Sequence, residues 1–341
     1  MAVSTESHEG PPTLQIVAEL AGVSRQTVSN AVNNPDLLRP ETLERVQQAI
    51  RTLGYSPNRA ARSLRTRQSG LIGLRFSRAE EGTANAMMDR FVHSLVEAAA
   101  ESGHHVLLIA GEDPVAGYDE VLRATAVDAL VVTDTYLGNP QAAWLTERGA
   151  PFVAFGRPWD SPEATHPWVD VDGAAGTGLA TNHLLQRDHQ RIAWLGWTDD
   201  SVINVDRRSG WERAMYFASL DTAGLERQSE DSVEGGRAAA AELLEAGATG
   251  IVCASDTLAI GVLHELASRG LRPGADIGVV GFDDSQAAQV FPGGLTSVRQ
   301  PLEDVAVEIV HAVERLLSSD APGELGRLLS PTLAVRGSTE R

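Results

Sequence analysis

Two short amphipathic segments joined by a glycine turn occupy residues 13–33, and they constrain this chain more than any other feature. Thr13 can cap a first helix and Ser24 a second, because a short side-chain oxygen accepts bonds from the unpaired amides of a helix start. Gly22 stands between them, where the first helix has to end. Two short helices joined in this way are typical of a helix-turn-helix, whose second helix can lie in the major groove of DNA.

The first residues of the second helix carry side chains that are suited to base edges. Arg25 matches the acceptors of guanine, and Gln26 and Asn30 match the adenine edge. Three short polar side chains nearby are suited to phosphate contacts: Ser24, Thr27 and Asn33. The alternative is an ordinary helical hairpin with a polar outer face. A third amphipathic helix that starts near Pro40 argues against this alternative, because it extends the pattern.

The charges of the chain are distributed unevenly. Residues 1–70 carry eight Arg against six Asp and Glu, a formal charge of +2, whereas the whole chain carries −18. The remaining residues therefore carry −20, the difference between these two values. Between Arg45 and Gly70 there are six Arg and no acidic residue. This asymmetry predicts that one end of the chain meets phosphate and that the acidic body does not.

Length and composition limit the class of protein. A chain of 341 residues is suited to two or three folded units, and no apolar run approaches the roughly 20 residues of a membrane-spanning helix. Residues 1–12 are polar, lack the features of a signal peptide and are expected to be disordered. The single cysteine, Cys253, excludes an intramolecular disulfide. A cytoplasmic protein is therefore expected.

From residue 71 onward, short apolar runs alternate with amphipathic stretches, which predicts a parallel sheet with helices on both faces. Ligands bind beyond the carboxyl ends of such strands, which points to Phe76 and Arg157. Arg157 could hold a sugar hydroxyl or a carboxylate, or it could form a salt bridge at the rim of the crevice. The scattered His residues predict no metal site, and no dinucleotide-binding or nucleophile motif is present. We therefore expect no cofactor and no enzymatic activity.

Two spaced motifs support a family resemblance. Residues 13–29 match T-L-x-x-V-A-x-x-A-G-V-S-x-x-T-V-S, and residues 54–64 match G-Y-x-P-N-x-x-A-x-x-L. Over these stretches the chain resembles the headpiece of the lac repressor/galactose repressor (LacI-type) family. The resemblance implies a helix-turn-helix domain over residues 13–57 and a hinge helix with linker over 58–70.

The resemblance also implies roles for individual residues. Arg25, Gln26 and Asn30 occupy the base-reading positions, and many relatives carry Arg where this chain has Asn30. Leu64 matches a leucine that wedges into the minor groove, and Ala61 matches the small residue that lets two hinge helices approach each other. The residues predicted to contact DNA are Thr13, Ser24, Arg25, Gln26, Thr27, Asn30, Asn33, Tyr55, Asn58, Arg59, Ala61 and Leu64.

Further stretches extend the resemblance over nearly all of the chain. They are VDGAAGTGLATNHLLQRDHQRIAWLG, DRRSGW, CASDTLAIGVL and DIGVVGFDDS. The family's sensor resembles a two-lobed periplasmic sugar-binding protein, which implies an α/β architecture. The first lobe is predicted to comprise residues 71–160 and about 290–322. The second lobe is predicted to comprise residues 161–289 and about 323–341, with residues 327–335 forming one final strand.

The resemblance places effector contacts in the crevice between these lobes. Arg207 matches an arginine that bonds effector hydroxyls or carboxylate, and Asp283 matches an aspartate that accepts from sugar hydroxyls. Trp168 occupies an aromatic position, and Ser255 stands where relatives often have Asn. The predicted effector residues are Phe76, Arg157, Trp168, Arg207, Ser255 and Asp283.

The combined prediction is a sequence-specific DNA-binding regulator, most often a repressor in this family, of carbohydrate metabolism genes. Its partners would be near-palindromic operator DNA, a sugar or oligosaccharide effector, and a second copy of the chain in a homodimer or a tetramer. A regulator of the same family that responds to a purine or an amino acid remains an alternative. A transport-type sugar-binding protein and an α/β enzyme acting on sugars are further alternatives.

Overall fold

A computed structural model of the chain divides into two compact units, Met1–Ser69 and Gly70–Arg341. The described residues are 12–55, 68–76, 85–110, 113, 115–124, 126–133, 135–159, 163–198, 201–318 and 324–340. Most of the predicted disordered N-terminus and the predicted hinge helix at residues 58–64 lie outside the described residues. Each unit has a hydrophobic core of its own.

Three helices form the first unit, here called the headpiece (residues 12–55). They are α1 (Leu14–Ala21), α2 (Arg25–Asn33) and α3 (Pro40–Leu53), with a 3₁₀ turn at Pro35–Leu37. Both predicted caps are present: Thr13 Oγ1 accepts from the amide of Ile16 at 3.4 Å, and Ser24 Oγ accepts from the amide of Thr27 at 3.1 Å. Gly22 ends α1 at a φ of 65°, in the left-handed region that side chains disfavour.

One small core holds these helices together. Val17, Val28 and Val46 come from the three different helices, and all are fully buried. Burial of each such side chain contributes about 1.5–3 kcal/mol. Arg39 precedes α3 without a side-chain cap bond, and Pro40 at the first helical position starts this helix instead. The core therefore fixes the orientation of α2, whose polar face stays outside.

Two six-stranded sheets form the second unit, here called the sensor (Gly70–Arg341), one in each of two lobes. The strands are β1 (Leu71–Phe76), β2 (His105–Ala110), β3 (Ala129–Val132), β4 (Phe152–Phe155), β5 (Trp168–Val171), β6 (Ile192–Trp197), β7 (Glu226–Ser229), β8 (Gly250–Cys253), β9 (Gly278–Phe282), β10 (Thr296–Arg299), β11 (Gly326–Leu329) and β12 (Thr332–Ala334). The first sheet has the strand order β11-β5-β4-β3-β1-β2, and the second has the order β12-β10-β9-β8-β6-β7. The pairings between these strands are parallel except that of β10 with β12.

Helices cover both sheets of the sensor. They are α4 (Asn85–Glu101), α5 (Ala116–Arg123), α6 (Pro140–Glu147), α7 (Gly173–Leu185), α8 (Val202–Phe217), α9 (Val233–Glu245), α10 (Asp256–Ser268), α11 (Gln286–Val290) and α12 (Leu302–Leu317), and a 3₁₀ turn follows at Gly337–Thr339. In the described part of the chain, no helix has the length and apolar character needed to cross a membrane.

The lobe boundaries predicted from the sequence are wrong at three places. Strand β5, predicted in the second lobe, pairs with β4 in the first sheet. Strand β10, predicted in the first lobe, pairs with β9 in the second sheet. The predicted single strand at 327–335 is two strands, of which β11 joins the first sheet and β12 the second. The pattern of apolar runs indicates where strands occur, but strand partners are set by long-range packing.

Close packing against α7 positions α8 in the second lobe. A Cβ on Gly210 would lie 2.0 Å from the carbonyl oxygen of Ala174, so only glycine allows α7 and α8 to approach this closely. Trp211 is buried in the core beside this contact and donates from Nε1 to the carbonyl of Ile192 at 3.1 Å. These contacts fix α8, and with it Arg207, against the second sheet.

Candidate DNA-reading helix and effector cleft

The polar face of α2 displays the predicted base-reading side chains. Arg25 and Gln26 are exposed, and Asn30 is half-buried one turn further along the helix. Gln26 Nε2 donates to Asn30 Oδ1 at 3.0 Å, so the two amides form one joined polar surface. Residues four apart lie on the same face of a helix, which is what a groove-reading helix requires.

The predicted phosphate contacts lie at the starts of the helices. The hydroxyls of Ser24 and Thr27 are bonded to each other at 2.9 Å at the start of α2, and Thr13 caps α1. Amide groups at helix starts favour anions such as phosphate. Tyr55 packs against the headpiece core, and this burial raises its pKa. The predictions for the Asn33 side chain and for Asn58, Arg59, Ala61 and Leu64 lie outside the described residues.

In the sensor, a cleft lies at the carboxyl ends of strands from both sheets, where the alternation of strands and helices predicted a ligand site. It is partly open to solvent, and apolar and aromatic side chains line it together with a few charged and polar groups, as is usual for the binding site of a small molecule. The first lobe contributes Phe155, Gly156, Arg157, Trp159 and Asp170, among others. The second lobe contributes Asp206, Arg207, Phe282 and Gln300, among others.

Arg157 links the two lobes across the cleft. Its Nε donates to Asp170 Oδ2 at 2.6 Å in the first lobe, and its Nη2 donates to Asp206 Oδ2 at 3.1 Å in the second. Burial raises the pKa of Asp170, and the nearby Arg157 opposes this rise. Arg157 therefore takes the structural role of a salt bridge that the sequence left open, while its side chain also lines the cleft.

Arg207 is held on the floor of the cleft, with only 7% of its surface exposed. Its Cζ lies 3.6 Å from the centroid of the Phe282 ring, and Nη1 donates to the carbonyl of Ala254 at 2.6 Å. Its Nε is buried and has no hydrogen-bond partner among the described residues. Burial lowers the pKa of Arg207, and the nearby Asp283 opposes this change. A buried donor without a partner is costly, so a ligand that accepts from Nε would relieve this cost.

Asp283 lies beside Arg207. Its Oδ1 is 3.6 Å from Arg207 Nη2 and accepts from Gln300 Nε2 at 2.7 Å. Burial raises the pKa of this carboxyl, and the Arg207 charge opposes the rise. The backbone of Asp283 has a φ of 100°, and its carbonyl accepts from Arg90 Nη1 of the first lobe at 3.2 Å. Arginine, carboxylate and amide groups in one cleft are suited to binding adjacent hydroxyl groups.

Two predicted effector residues are placed elsewhere. Trp168 starts β5, at the opposite end of the strand from the cleft, and its indole packs over Gly326 of β11, so the prediction that it lines the cleft is wrong. Ser255 is buried, caps α10 by accepting from the amide of Leu258, and donates to Asp231. The Phe76 side chain lies outside the described residues.

Other residues of the cleft escape prediction from sequence. Trp159 supplies the aromatic surface that was assigned to Trp168, and the Arg157 guanidinium lies 4.1 Å from its ring centroid. Asp170 and Asp206 bind Arg157, and Gln300 binds Asp283. The signal for Trp159 was its position shortly after the apolar run that becomes β4. No motif near Gln300 indicates a ligand site, and strand β10, which precedes it, was assigned to the other lobe.

Comparisons with known proteins agree with this architecture. The profile of the bacterial regulatory proteins of the lacI family matches residues 13–58, and that of the periplasmic binding protein-like domain matches residues 181–339. The HTH-type transcriptional regulator CelR of Thermobifida fusca is 33% identical over 339 residues, which cover 96% of this chain and 98% of that protein.

Two similar solved structures contain ligands. The complex of the transcriptional regulator CelR with cellobiose is 30% identical, with a TM-score of 0.70 over 96% of this chain and 99% of that one. The lac repressor dimer bound to operator and the anti-inducer ONPF is 28% identical, with a TM-score of 0.76 over 97% of this chain and 100% of that one.

The headpiece motifs, the two-lobed sensor and these relatives lead to one conclusion. The relatives are transcriptional regulators and not enzymes, and the similarity to CelR spans almost the full length of both chains. The chain is therefore a DNA-binding transcriptional regulator, as the sequence predicted. It belongs to the lacI family of bacterial regulatory proteins.

Proposed function

We propose that this regulator is a cytoplasmic repressor of carbohydrate metabolism genes. A neutral sugar or oligosaccharide that binds in the cleft would control its affinity for operator DNA. The observation that carries the effector proposal is the arrangement at Arg207. Its guanidinium is stacked on Phe282 and held by the Ala254 carbonyl, and its buried Nε has no hydrogen-bond partner in the part of the chain that the structure describes. A sugar hydroxyl is an acceptor that would complete this site.

The charge of the cleft favours an uncharged ligand. Asp170, Asp206 and Asp283 face two guanidinium groups, and Arg157 is already paired with two of these carboxylates. A phosphorylated ligand would meet uncompensated negative charge here, whereas a polyol can donate to carboxylates and accept from Arg207. Cellobiose, the sugar in the CelR complex, is such a polyol, and this similarity supports the same class of effector here.

We assign base reading to Arg25, Gln26 and Asn30, and phosphate contacts to Ser24 and Thr27. Their positions on the polar face and at the start of α2 support this assignment. A single headpiece reads only a half-site, so a homodimer on a near-palindromic operator is part of the proposal. The lac repressor was solved as a dimer on its operator, which supports the same assembly here.

Control would act through bonds that join the two lobes. Arg157 bonds Asp206, and Arg90 bonds the carbonyl of Asp283. A ligand that contacts Arg157 and Asp283 differently in the open and closed cleft would shift the balance between lobe arrangements. Binding of the effector in the cleft would then change the affinity of the headpiece for DNA, which is allosteric coupling between two distinct sites.

A thermal-shift screen tests the effector class. The full-length protein would be heated with cellobiose, maltose and glucose, with adenine and guanine, and with a set of amino acids. A true effector raises the Tm, because it binds the folded state: saturation to 100 times Kd adds about 2.7 kcal/mol. We expect a rise with a neutral sugar that disappears in Arg207→Ala but persists in the neighbouring Arg208→Ala.

The screen also addresses the alternatives. A rise with a nucleobase or an amino acid alone would replace the sugar with that class of effector. Arg208 is the matched control, because it lies next to Arg207 on α8 but pairs with Glu212 and Glu226 outside the cleft. Loss of folding in Arg207→Ala without ligand would mean that this residue supports the fold instead.

A further inference from the structure

A second cavity, here called the side groove, opens on the first lobe next to the cleft. It lies between α6 and two described stretches that follow β4, residues 157–159 and 163–166. The empty space in the side groove is about 1440 Å³ and that in the cleft is about 680 Å³, and both values include space that is open to solvent. Of the predicted effector residues whose side chains the structure describes, Arg157 is the one that lines it. The cleft therefore accounts for only part of the concave surface at this edge of the lobe.

The cleft and the side groove are continuous. Thr135, Arg157 and Trp159 line both cavities. Gly156 has a φ of 119°, and a Cβ at this position would lie 1.9 Å from Thr135 Oγ1. The chain after β4 is thus pressed against Thr135, and any side chain at residue 156 would force the two apart. A ligand seated in the cleft can extend along this wall into the groove.

Trp159 stands where the two cavities meet. The Arg157 guanidinium covers its ring at 4.1 Å, and Arg157 is itself fixed by Asp170 and Asp206. The indole Nε1 is buried and has no hydrogen-bond partner among the residues that the structure describes. A fixed aromatic face together with an unpartnered N–H is the combination that a pyranose ring and its hydroxyls can satisfy.

The walls of the side groove are suited to an uncharged ligand. Tyr136 is 47% exposed, and His166 lies against Phe152 at a centroid distance of 4.9 Å. Burial lowers the pKa of His166, which keeps the imidazole neutral at neutral pH. Among the described lining residues, Arg157 is the one permanent cation, whereas Glu147 and Glu163 are acidic. Anionic chains would be repelled, and a neutral chain with ring faces and hydroxyls would not.

From this geometry we infer that the effector is a linear oligosaccharide of at least three sugar units, which occupies the cleft with one end and the side groove with the other. Trp159 is the stacking residue at the junction. This inference rests on the proposed function, because it requires that the cleft bind a sugar. It adds a second subsite and predicts that affinity depends on chain length.

Calorimetric titration of the full-length protein tests the inference. The probes are cellobiose to cellopentaose and, in parallel, maltose to maltopentaose, because the groove does not specify the linkage. In one series we expect Kd to fall about tenfold between the disaccharide and the tri- or tetrasaccharide, and then to level off. Ala143→Arg is the blocking variant, since Ala143 is exposed on α6 and lines the groove. Ala218→Arg, at the exposed end of α8 in the other lobe, is the matched control.

The outcomes separate this inference from the proposed function. Ala143→Arg should abolish the gain from chain length and leave the disaccharide Kd unchanged, while Ala218→Arg keeps the gain. If a disaccharide binds and longer chains bind no better, or if the gain survives in Ala143→Arg, the side groove is not a subsite and the proposed function stands. If no member of either series binds, both the subsite and the proposed sugar effector are overturned.

Discussion

The headpiece and the effector cleft differ in how their functional residues are collected. Arg25, Gln26 and Asn30 come from one helix of nine residues, α2, and α1 and α3 serve to support it. The cleft brings together Arg157, Arg207 and Gln300 from distant parts of the chain and from both lobes. A local pattern of residues is therefore sufficient for the first site, whereas the second exists only once two sheets have formed.

The two sites also use arginine in opposite ways. Arg25 is exposed on a helix, where it is available to a partner from outside. Arg207 is buried, stacked on Phe282 and bonded to the carbonyl of Ala254. The first arrangement is suited to a large polyanion and the second to a small neutral molecule. Substitutions at the two sites should consequently separate DNA binding from effector binding.

The largest effect is expected from Arg25→Ala. Loss of a bidentate base contact costs about 1–3 kcal/mol per half-site, and the two half-sites of a dimer roughly double this loss. The measurement is fluorescence anisotropy with operator DNA and with scrambled DNA. The gap between the two affinities should shrink, while the sugar-dependent Tm shift stays unchanged.

Arg51→Ala is the control for that experiment. Arg51 is exposed in the last turn of α3 and donates to Gln48 of the same helix. Any loss in this variant should be equal for operator and scrambled DNA. A wild-type preference for the operator in Arg25→Ala would contradict the assignment of this residue to base reading.

The next largest effect is expected from Arg207→Ala. A hydrogen bond to a charged group is worth about 1.5–3 kcal/mol, so sugar affinity should fall about 10–150-fold. Operator affinity without sugar should remain that of the wild type. Calorimetry and anisotropy on the same preparation check both parts, and retention of sugar affinity would remove Arg207 from the effector site.

A smaller effect is expected from Asp206→Asn, which weakens the bond between the lobes. Asp206 accepts from Arg157 Nη2 and from the amide of Ala174, and its side chain is 15% exposed. The amide keeps the shape and loses the charge, so sugar Kd should change by about three- to tenfold. Asp221→Asn, at an exposed loop of the same lobe, is the control. An Asp206→Asn variant that responds to sugar like the wild type would show that this bond plays no part in lobe movement.

The same contrast explains what could be predicted from the sequence. The caps at Thr13 and Ser24 and the turn at Gly22 depend on neighbours in the chain, and the structure has each as predicted. Arg157 and Arg207 were placed in the crevice by strand ends and by the family motif, and they do lie there. Trp168 was misplaced and Gln300 missed, because both depend on which sheet β5 and β10 join. That choice is made by packing between residues far apart in sequence.

A separate prediction concerns the dependence of sensor stability on pH. Burial raises the pKa of Asp256 to about 7, from 3.8 for the free side chain. Its contribution to stability is full below the unfolded pKa and is lost as pH rises through about 7. Burial lowers the pKa of His183 to about 4, from 6.5, and Arg187 adds to this shift. Its contribution is present above 6.5 and is lost as pH falls through about 4.

These two groups oppose each other between about pH 4 and 6.5. Asp256→Asn should therefore make sensor stability rise with pH over this range relative to wild type, and His183→Gln should make it fall. Urea unfolding of each variant at pH 5 and pH 7 checks both signs. Equal slopes in both variants would contradict the assigned shifts.

The central claim is that a sugar in the cleft sets the affinity of the headpiece for DNA. The most direct test is the operator Kd with and without a saturating sugar found in the screen, for wild type and for Arg207→Ala. A coupling free energy of about 1–3 kcal/mol predicts a change of about 5–150-fold in the wild type and none in the variant. An operator affinity that no bound sugar alters, or an equal change in both proteins, would contradict the claim.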